Sequence, residues 1–190
     1  SFVVSVSAVN DAPVVILPIA DFAVSEDAAN VVTNLTSIFS DVETAATNLA
    51  YAVVGNTNAS LVTATITQGT NLTLAFTANG NGTSRVSVSA TDAGGLAVTN
   101  SFVVTVNAVN DAPTVVLPIA DFAVNEDAAN VVTNLTSIFS DVETAATNLA
   151  YAVVGNTNSS LVTATITGTN LVLAFTANGN GTSRVSVSAT

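Results

Sequence analysis

Hydrophobic and polar residues alternate along most of this chain in short runs. In "TSRVSVSAT" (83–91), Val86, Val88 and Ala90 fall on one face, and Arg85, Ser87 and Ser89 on the other. In "SFVVTVNA" (101–108), Phe102, Val104, Val106 and Ala108 oppose Val103, Thr105 and Asn107. "NLTLAFT" (71–77) puts Leu72, Leu74 and Phe76 together. A period of two, rich in Val, Thr and Phe, is the signature of half-buried strands. Turn-forming clusters separate the runs: "GNTN" at 55–58, "ANGNGT" at 78–83 and "DAGG" at 92–95. The pattern predicts strands over roughly 18–25, 30–36, 49–54, 61–67, 71–77, 83–91 and 97–108. Residues 37–47 lack alternation and read as a loop with a short helical turn. Seven short strands in about 100 residues predict an all-β, antiparallel, Greek-key β-sandwich of immunoglobulin-like type.

The pattern then starts again. Residues 101–190 repeat residues 1–91 with seven substitutions and the loss of Gln68. Such self-similarity marks tandem modules. The expected division is a last strand of a preceding repeat plus linker over 1–12, a complete repeat over 13–112, and a second repeat over 113–190 without its last strand. The chain opens in mid-pattern, so it reads as a window on a longer series.

Composition narrows the chemistry. Among 190 residues there are two Arg and no Lys, His, Cys, Met or Trp, with a net charge of −11. That excludes a Ser-His-Asp triad, a thiol nucleophile, a Schiff-base lysine and the usual zinc ligand sets. Two cations cannot neutralise a nucleic-acid backbone, so no nucleic-acid partner is expected. No apolar run approaches about 18 residues, so no membrane-inserted segment is expected either. Paired acids such as Asp41 with Glu43 could nominally serve glycoside hydrolysis, but they recur in both copies, and the chain is read as a non-enzyme.

Following the strands up and down assigns the loops to poles. Asn10, Asp11, Asp41, Glu43 and Asp92 fall at the top of the first repeat, and Glu26, Asp27 and Asn79 at its bottom. The seam between repeats would then gather Glu26, Asp27, Asn79, Asn110, Asp111, Asp141 and Glu143. Five formal negative charges with no protein cation are costly unless solvated, protonated or bridged. Hard oxygen donors in this number suit Ca2+; ordinary solvated turn chemistry is the alternative.

With "VNDAP" at both seams, Glu26 and Glu126 after the first strand, "TDAGG" at 91–95 and the Asp41/Glu43 pair, the chain resembles bacterial cadherin-like repeats of long surface and adhesin proteins. The resemblance covers nearly the whole chain. It implies an extracellular or cell-surface location and Ca2+ at the joints. Two departures stand out. Ala8 and Ala108 occupy positions where cadherins carry an acid, and "TAN" replaces an Asp-Arg-Glu segment, leaving only Asn79 or Asn178. Fewer carboxylates imply fewer or weaker ions, in the range of about 10⁻⁴–10⁻³ M found in extracellular modules.

These readings converge on a structural or adhesive protein, a stalk or filament of head-to-tail sandwiches. Its partner is expected to be itself, as a polymer or as one continuous repeat array, and its adhesive target is open. Residues 1–8 carry the strand that 113–190 lacks, so Phe2, Val4 and Val6 could fill the core of a neighbouring copy or repeat. A carbohydrate- or protein-binding adhesin module is the alternative. The absence of Trp, with Tyr51 and Tyr151 in core-like strand positions, leaves few platforms for sugar stacking.

Overall fold

A computed structural model describes residues 1–190, which form two compact units, Ser1–Val109 and Asn110–Thr190. The first unit contains β1 (Val14–Val15), β2 (Phe22–Ser25), β3 (Val31–Asn34), β4 (Phe39–Ser40), β5 (Ala50–Asn56), β6 (Val62–Thr67), β7 (Asn71–Phe76), β8 (Gly82–Thr91) and β9 (Ala97–Asn107). One sheet has the order β2-β9-β8-β5 and the other β3-β7-β6, with β1 and β4 forming a short ladder of their own. The alternation seen in the sequence is largely realised, except that Ser89, expected to face outward, is buried, and Ala108, expected to face inward, is exposed beyond the end of β9. Leu72 and Leu74 of β7, Val86 and Val88 of β8, and Phe102, Val104 and Val106 of β9 are all buried between the sheets. Burying each such side chain contributes about 1.5–3 kcal/mol.

The first expected strand, 18–25, is realised only as β2 at Phe22–Ser25, and a two-residue strand, β1, forms before it and outside the expected range. Val14–Val15 pairs antiparallel with Phe39–Ser40. Ile16 and Leu17 both donate to the Ile38 carbonyl, and the ladder ends at Pro18, which has no N–H to give. The chain then crosses to the other sheet, where β2 pairs with β9 in parallel. Side chains hold the crossing: Ile19 N–H donates to Asn100 Oδ1 (3.2 Å), and Val103 N–H donates to Asp21 Oδ1 (2.6 Å). The sandwich is therefore antiparallel in every pair but one.

The expected strand 30–36 stops at Asn34, and a 3-10 turn over Leu35–Ser37 follows it, capped by Asn34, whose side-chain oxygen accepts from Thr36 N–H (3.0 Å). The cap satisfies an otherwise unpaired donor and turns Leu35 into the core. A second 3-10 turn spans Ala46–Asn48.

The second unit contains β10 (Thr114–Val115), β11 (Val131–Asn134), β12 (Phe139–Ser140), β13 (Tyr151–Asn156), β14 (Val162–Thr167), β15 (Asn170–Phe175) and β16 (Val185–Ala189). The sheet β11-β15-β14 reproduces β3-β7-β6. Its partner sheet is reduced to β13-β16, because residues 113–190 contain no counterpart of β9. Residues 122–125 form no strand, although they differ from β2 only in Asn125 for Ser25. Phe122 is 51% exposed, whereas Phe22 is half-buried and stacks on Phe102 with ring centroids 6.1 Å apart.

Candidate functional site: acidic poles and an open sheet edge

At the top of the first unit the linker meets three loops. Asn10 Nδ2 donates to Asp92 Oδ2 (2.8 Å), and Asp11 N–H donates to Glu43 Oε2 (3.3 Å). Asp41 Oδ1 accepts from Glu43 N–H (3.0 Å) and Thr44 N–H (2.6 Å), which organises the loop after β4. The other Asp41 oxygen, Oδ2, is buried and has no hydrogen-bond partner. Asp92 is buried in the turn between β8 and β9. Burial pushes its carboxyl up, but hydrogen bonds from Asn10 and from the backbone of Leu96, Gly94 and Gly95 outweigh that and hold it below the usual carboxylate range. Gly94 makes the arrangement possible, since a Cβ there would sit 2.6–2.9 Å from the Asn10 side-chain atoms.

The bottom pole of the first unit gathers Glu26, Asp27 and Asn79. Glu26 is 5% exposed. Its N–H donates to Asn107 O (2.8 Å), and its Oε1 accepts from Val109 N–H (2.6 Å), so the strand β9 and the residues after it lock this glutamate in place. Its second oxygen, Oε2, is buried without a hydrogen-bond partner. Asp27 Oδ1 accepts from Asn79 N–H (3.0 Å), and both residues adopt left-handed backbone with φ of 59° and 55°. Asn and Asp tolerate that conformation better than other side chains.

The second unit repeats part of this. Asn110 Nδ2 donates to Asp111 O (2.9 Å), and Asp111 N–H donates to Glu143 Oε2 (3.1 Å). Asp141 Oδ1 accepts from Glu143 N–H and Thr144 N–H. Asn178 N–H donates to Asp127 Oδ1 (2.9 Å). Glu126, the counterpart of Glu26, is exposed, and residues 113–190 hold no counterpart of Asp92.

A carboxylate oxygen buried without a donor costs about 1–3 kcal/mol or more. A divalent cation relieves that cost by supplying the missing positive partner, so Asp41 and Glu26 fit the oxygen chemistry of Ca2+. Asp41 lies in the loop after β4, and Glu26 directly follows β2. The sequence pattern could not show that one oxygen of each is already committed to backbone donors and the other is not. Nor did it reveal the tie from Asp21 to Val103, or the clearance that Gly94 leaves for Asn10, since both depend on contacts between residues about 80 positions apart. Tyr51 and Tyr151 pack their rings against Phe39 and Phe139 at 5.8 Å and donate their hydroxyls to Ala46 O and Ala146 O. Burial pushes both phenols up.

The second unit also has a feature the first lacks, an open groove of about 830 Å³ along the missing edge. Phe122, Val124, Leu171, Leu173, Val185 and Val187 are among the residues that line it.

No family model matches the chain, and no curated protein matches it. Solved structures do. A protocadherin gamma B7 fragment of extracellular cadherin domains 1–4 is 13% identical, with 94% of this chain and 48% of that chain covered and a TM-score of 0.45. Titin domains z1z2, solved in complex with telethonin, are 16% identical over 96% of each chain, with a TM-score of 0.39. An endo-fucoidan hydrolase of glycoside hydrolase family 107 is 17% identical, with a TM-score of 0.41. The alignment covers 87% of this chain but only 24% of the hydrolase. The all-β sandwich assignment rests on the strand order and registers described above. No helix of the chain is long and apolar enough to cross a membrane.

Proposed function

We propose that this chain is a structural, adhesion-type module of an extracellular or cell-surface stalk. In this reading β-sandwich repeats follow one another head to tail, Ca2+ stiffens the poles, and a strand of the 1–8 type completes a neighbouring copy or repeat. The observation that carries it is the pair of orphaned carboxylate oxygens, Glu26 Oε2 and Asp41 Oδ2, buried at opposite poles of one sandwich in a chain with no Lys or His. Near-identical modules with acids concentrated at their linkers suit a load-bearing series better than a single active centre. Ca2+ would be held by Asp11, Asp41, Glu43 and Asp92 at the top pole and by Glu26 at the bottom, with Asp111, Asp141 and Glu143 offering the same donor types in the second unit. Bound there, it would neutralise and cross-brace loops that otherwise repel one another.

The test is calorimetric unfolding of the 190-residue chain in millimolar Ca2+, in Mg2+ and in chelator. The unfolding midpoint is expected to rise with Ca2+ and not with Mg2+, and Asp41→Asn is expected to remove most of the rise. An unfolding curve identical in chelator and Ca2+ would refute the ion-stiffened joint.

A further inference from the structure

We infer that the open groove of the second sandwich is a receptor for residues 1–8 of a second copy of this chain, in one specific register. The inference rests on reading the sandwiches as a head-to-tail series and names the joint of that series.

The template for the joint lies in the first sandwich. There the segment Ser101–Asn107 of β9 lies between β8 and β2, antiparallel to the first and parallel to the second. Phe102, Val104 and Val106 point into the core and are at most 2% exposed. Residues 1–8 match 101–108 except for Ser5 in place of Thr105 and Ser7 in place of Asn107. Neither of those positions is among the buried ones in the first sandwich. The donor face is therefore unchanged. In the chain itself that face is bare, with Phe2, Val4 and Val6 exposed by 89%, 73% and 92%, and residues 1–8 join no sheet.

The receptor walls are equally faithful. Residues 181–187 are identical to 82–88, and 122–124 to 22–24. Transferring the observed register pairs Phe2 with Val185, Val4 with Ser183 and Val6 with Gly181, while Phe122 lies alongside Val4 and Val124 alongside Val6. A slip of one residue would turn Phe2, Val4 and Val6 out to solvent and Val3, Ser5 and Ser7 into the core, so the groove selects this register. Main-chain hydrogen bonds on two flanks supply affinity, and the three alternate side chains supply specificity. The donor belongs to one unit and the receptor to the other. The contact is therefore heterologous and propagates from copy to copy.

The chain has no cysteine, so engineered thiols report without background. The experiment is run in chelator throughout. Sedimentation of the 190-residue chain is expected to show assemblies that grow with concentration, whereas Phe2→Asp/Val4→Asp sediments as a single copy. Both substituted residues are exposed and free of core contacts, so folding is not at stake. A labelled peptide of residues 1–8 is expected to bind that blocked variant, and the same peptide carrying both Asp substitutions to bind more than about tenfold more weakly, since each Asp would be buried without a partner. Ser5→Cys with Thr182→Cys is expected to form disulfides between copies, and Ser5→Cys with Ser183→Cys, one residue out of register, is not. A wild-type chain that remains a single copy at every concentration, assembly that survives Phe2→Asp/Val4→Asp, disulfides formed only within one chain, or equal cross-linking of the two thiol pairs would each overturn the inference. The outcome is separate from that of the calcium test. A chain that assembles in chelator and ignores Ca2+ keeps the joint and loses the ion, and one stabilised by Ca2+ but never assembling does the reverse.

Discussion

Residues 20–26 and 120–126 differ at one position, Ser25 against Asn125, yet they behave differently. In the first copy Phe22–Ser25 is a strand and Glu26 is buried; in the second, 122–125 is irregular and Glu126 is exposed. The difference is β9. It supplies the parallel partner for the strand, the Asn107 carbonyl for the Glu26 N–H, and the chain that carries the Val109 N–H to its carboxylate. Other features ignore β9 altogether. The Asn34 and Asn134 caps are alike, with side-chain oxygens 3.0 Å from the N–H of Thr36 and Thr136. The Asp27–Asn79 and Asp127–Asn178 turns are alike as well, at 3.0 and 2.9 Å. Strand character in "FAV" is thus a property of its neighbour, whereas the caps depend on a few adjacent residues and the Asp–Asn contacts on two turns that both copies retain.

The second copy can be made like the first by restoring its missing strand. Appending the sequence of residues 92–107 after Thr190 is expected to bring 122–125 into a sheet and to bury Glu126. It would also cover Phe122 and Val124 with side chains worth about 1.5–3 kcal/mol each. Hydrogen exchange would then show slow amides at 122–125, and denaturant unfolding a more stable second transition. The converse change, Phe102→Ala, should destabilise the first sandwich by about 3–5 kcal/mol and quicken exchange at Phe22–Ser25, which urea titration and the same exchange experiment would measure. Asn34→Ala and Asn134→Ala probe a feature the two copies share. Each should cost its own sandwich about 1 kcal/mol, and the two losses should be equal, because neither cap depends on β9. Two clearly unequal losses would show that the cap is coupled to the missing strand after all.

A weaker change is expected in the pH dependence of stability. Asp92 is held below the usual carboxylate range in the folded chain, so its ionised form is favoured by folding. It contributes stability above its unfolded value of about 3.9. That contribution is lost as pH falls through the lowered folded-state value. Carboxyl carbon titration by NMR should place Asp92 below ordinary aspartates, and Asn10→Ala should move it back up. Residues 113–190 have no counterpart of Asp92, so this loss is confined to the first sandwich.

Much of the architecture was legible in the pattern of side chains. Alternation in 71–77, 83–91 and 97–108 identified strands that supply much of the observed core, whereas 37–47, read as a loop with a short helical turn, holds the strand Phe39–Ser40, and the 3-10 turns Leu35–Ser37 and Ala46–Asn48 overlap only its two ends. The ladder of Val14–Val15 with Phe39–Ser40 was not legible, since one strand lies before the expected 18–25 and the other within the stretch read as a loop. A two-residue strand is too short to carry a period, and periodicity within one segment carries no information about which sheet it enters. The pole acids could be assigned to ends by counting strands. Which oxygen of Glu26 or Asp41 is bonded depends on backbone N–H groups such as Val109 and Thr44, and spacing does not record their direction.

The parallel alignment of β2 and β9 has a mechanical consequence. Tension applied to the chain at Val109 and directed away from the first sandwich acts along β9, whose hydrogen bonds to β2 on one flank and β8 on the other run across the pull. The strand cannot peel away one bond at a time. It has to slide, shearing both ladders together while dragging Phe102, Val104 and Val106 through the core. The last strand of the sandwich thus acts as a tensile clamp, and the force needed to extract it is set by two ladders loaded in parallel.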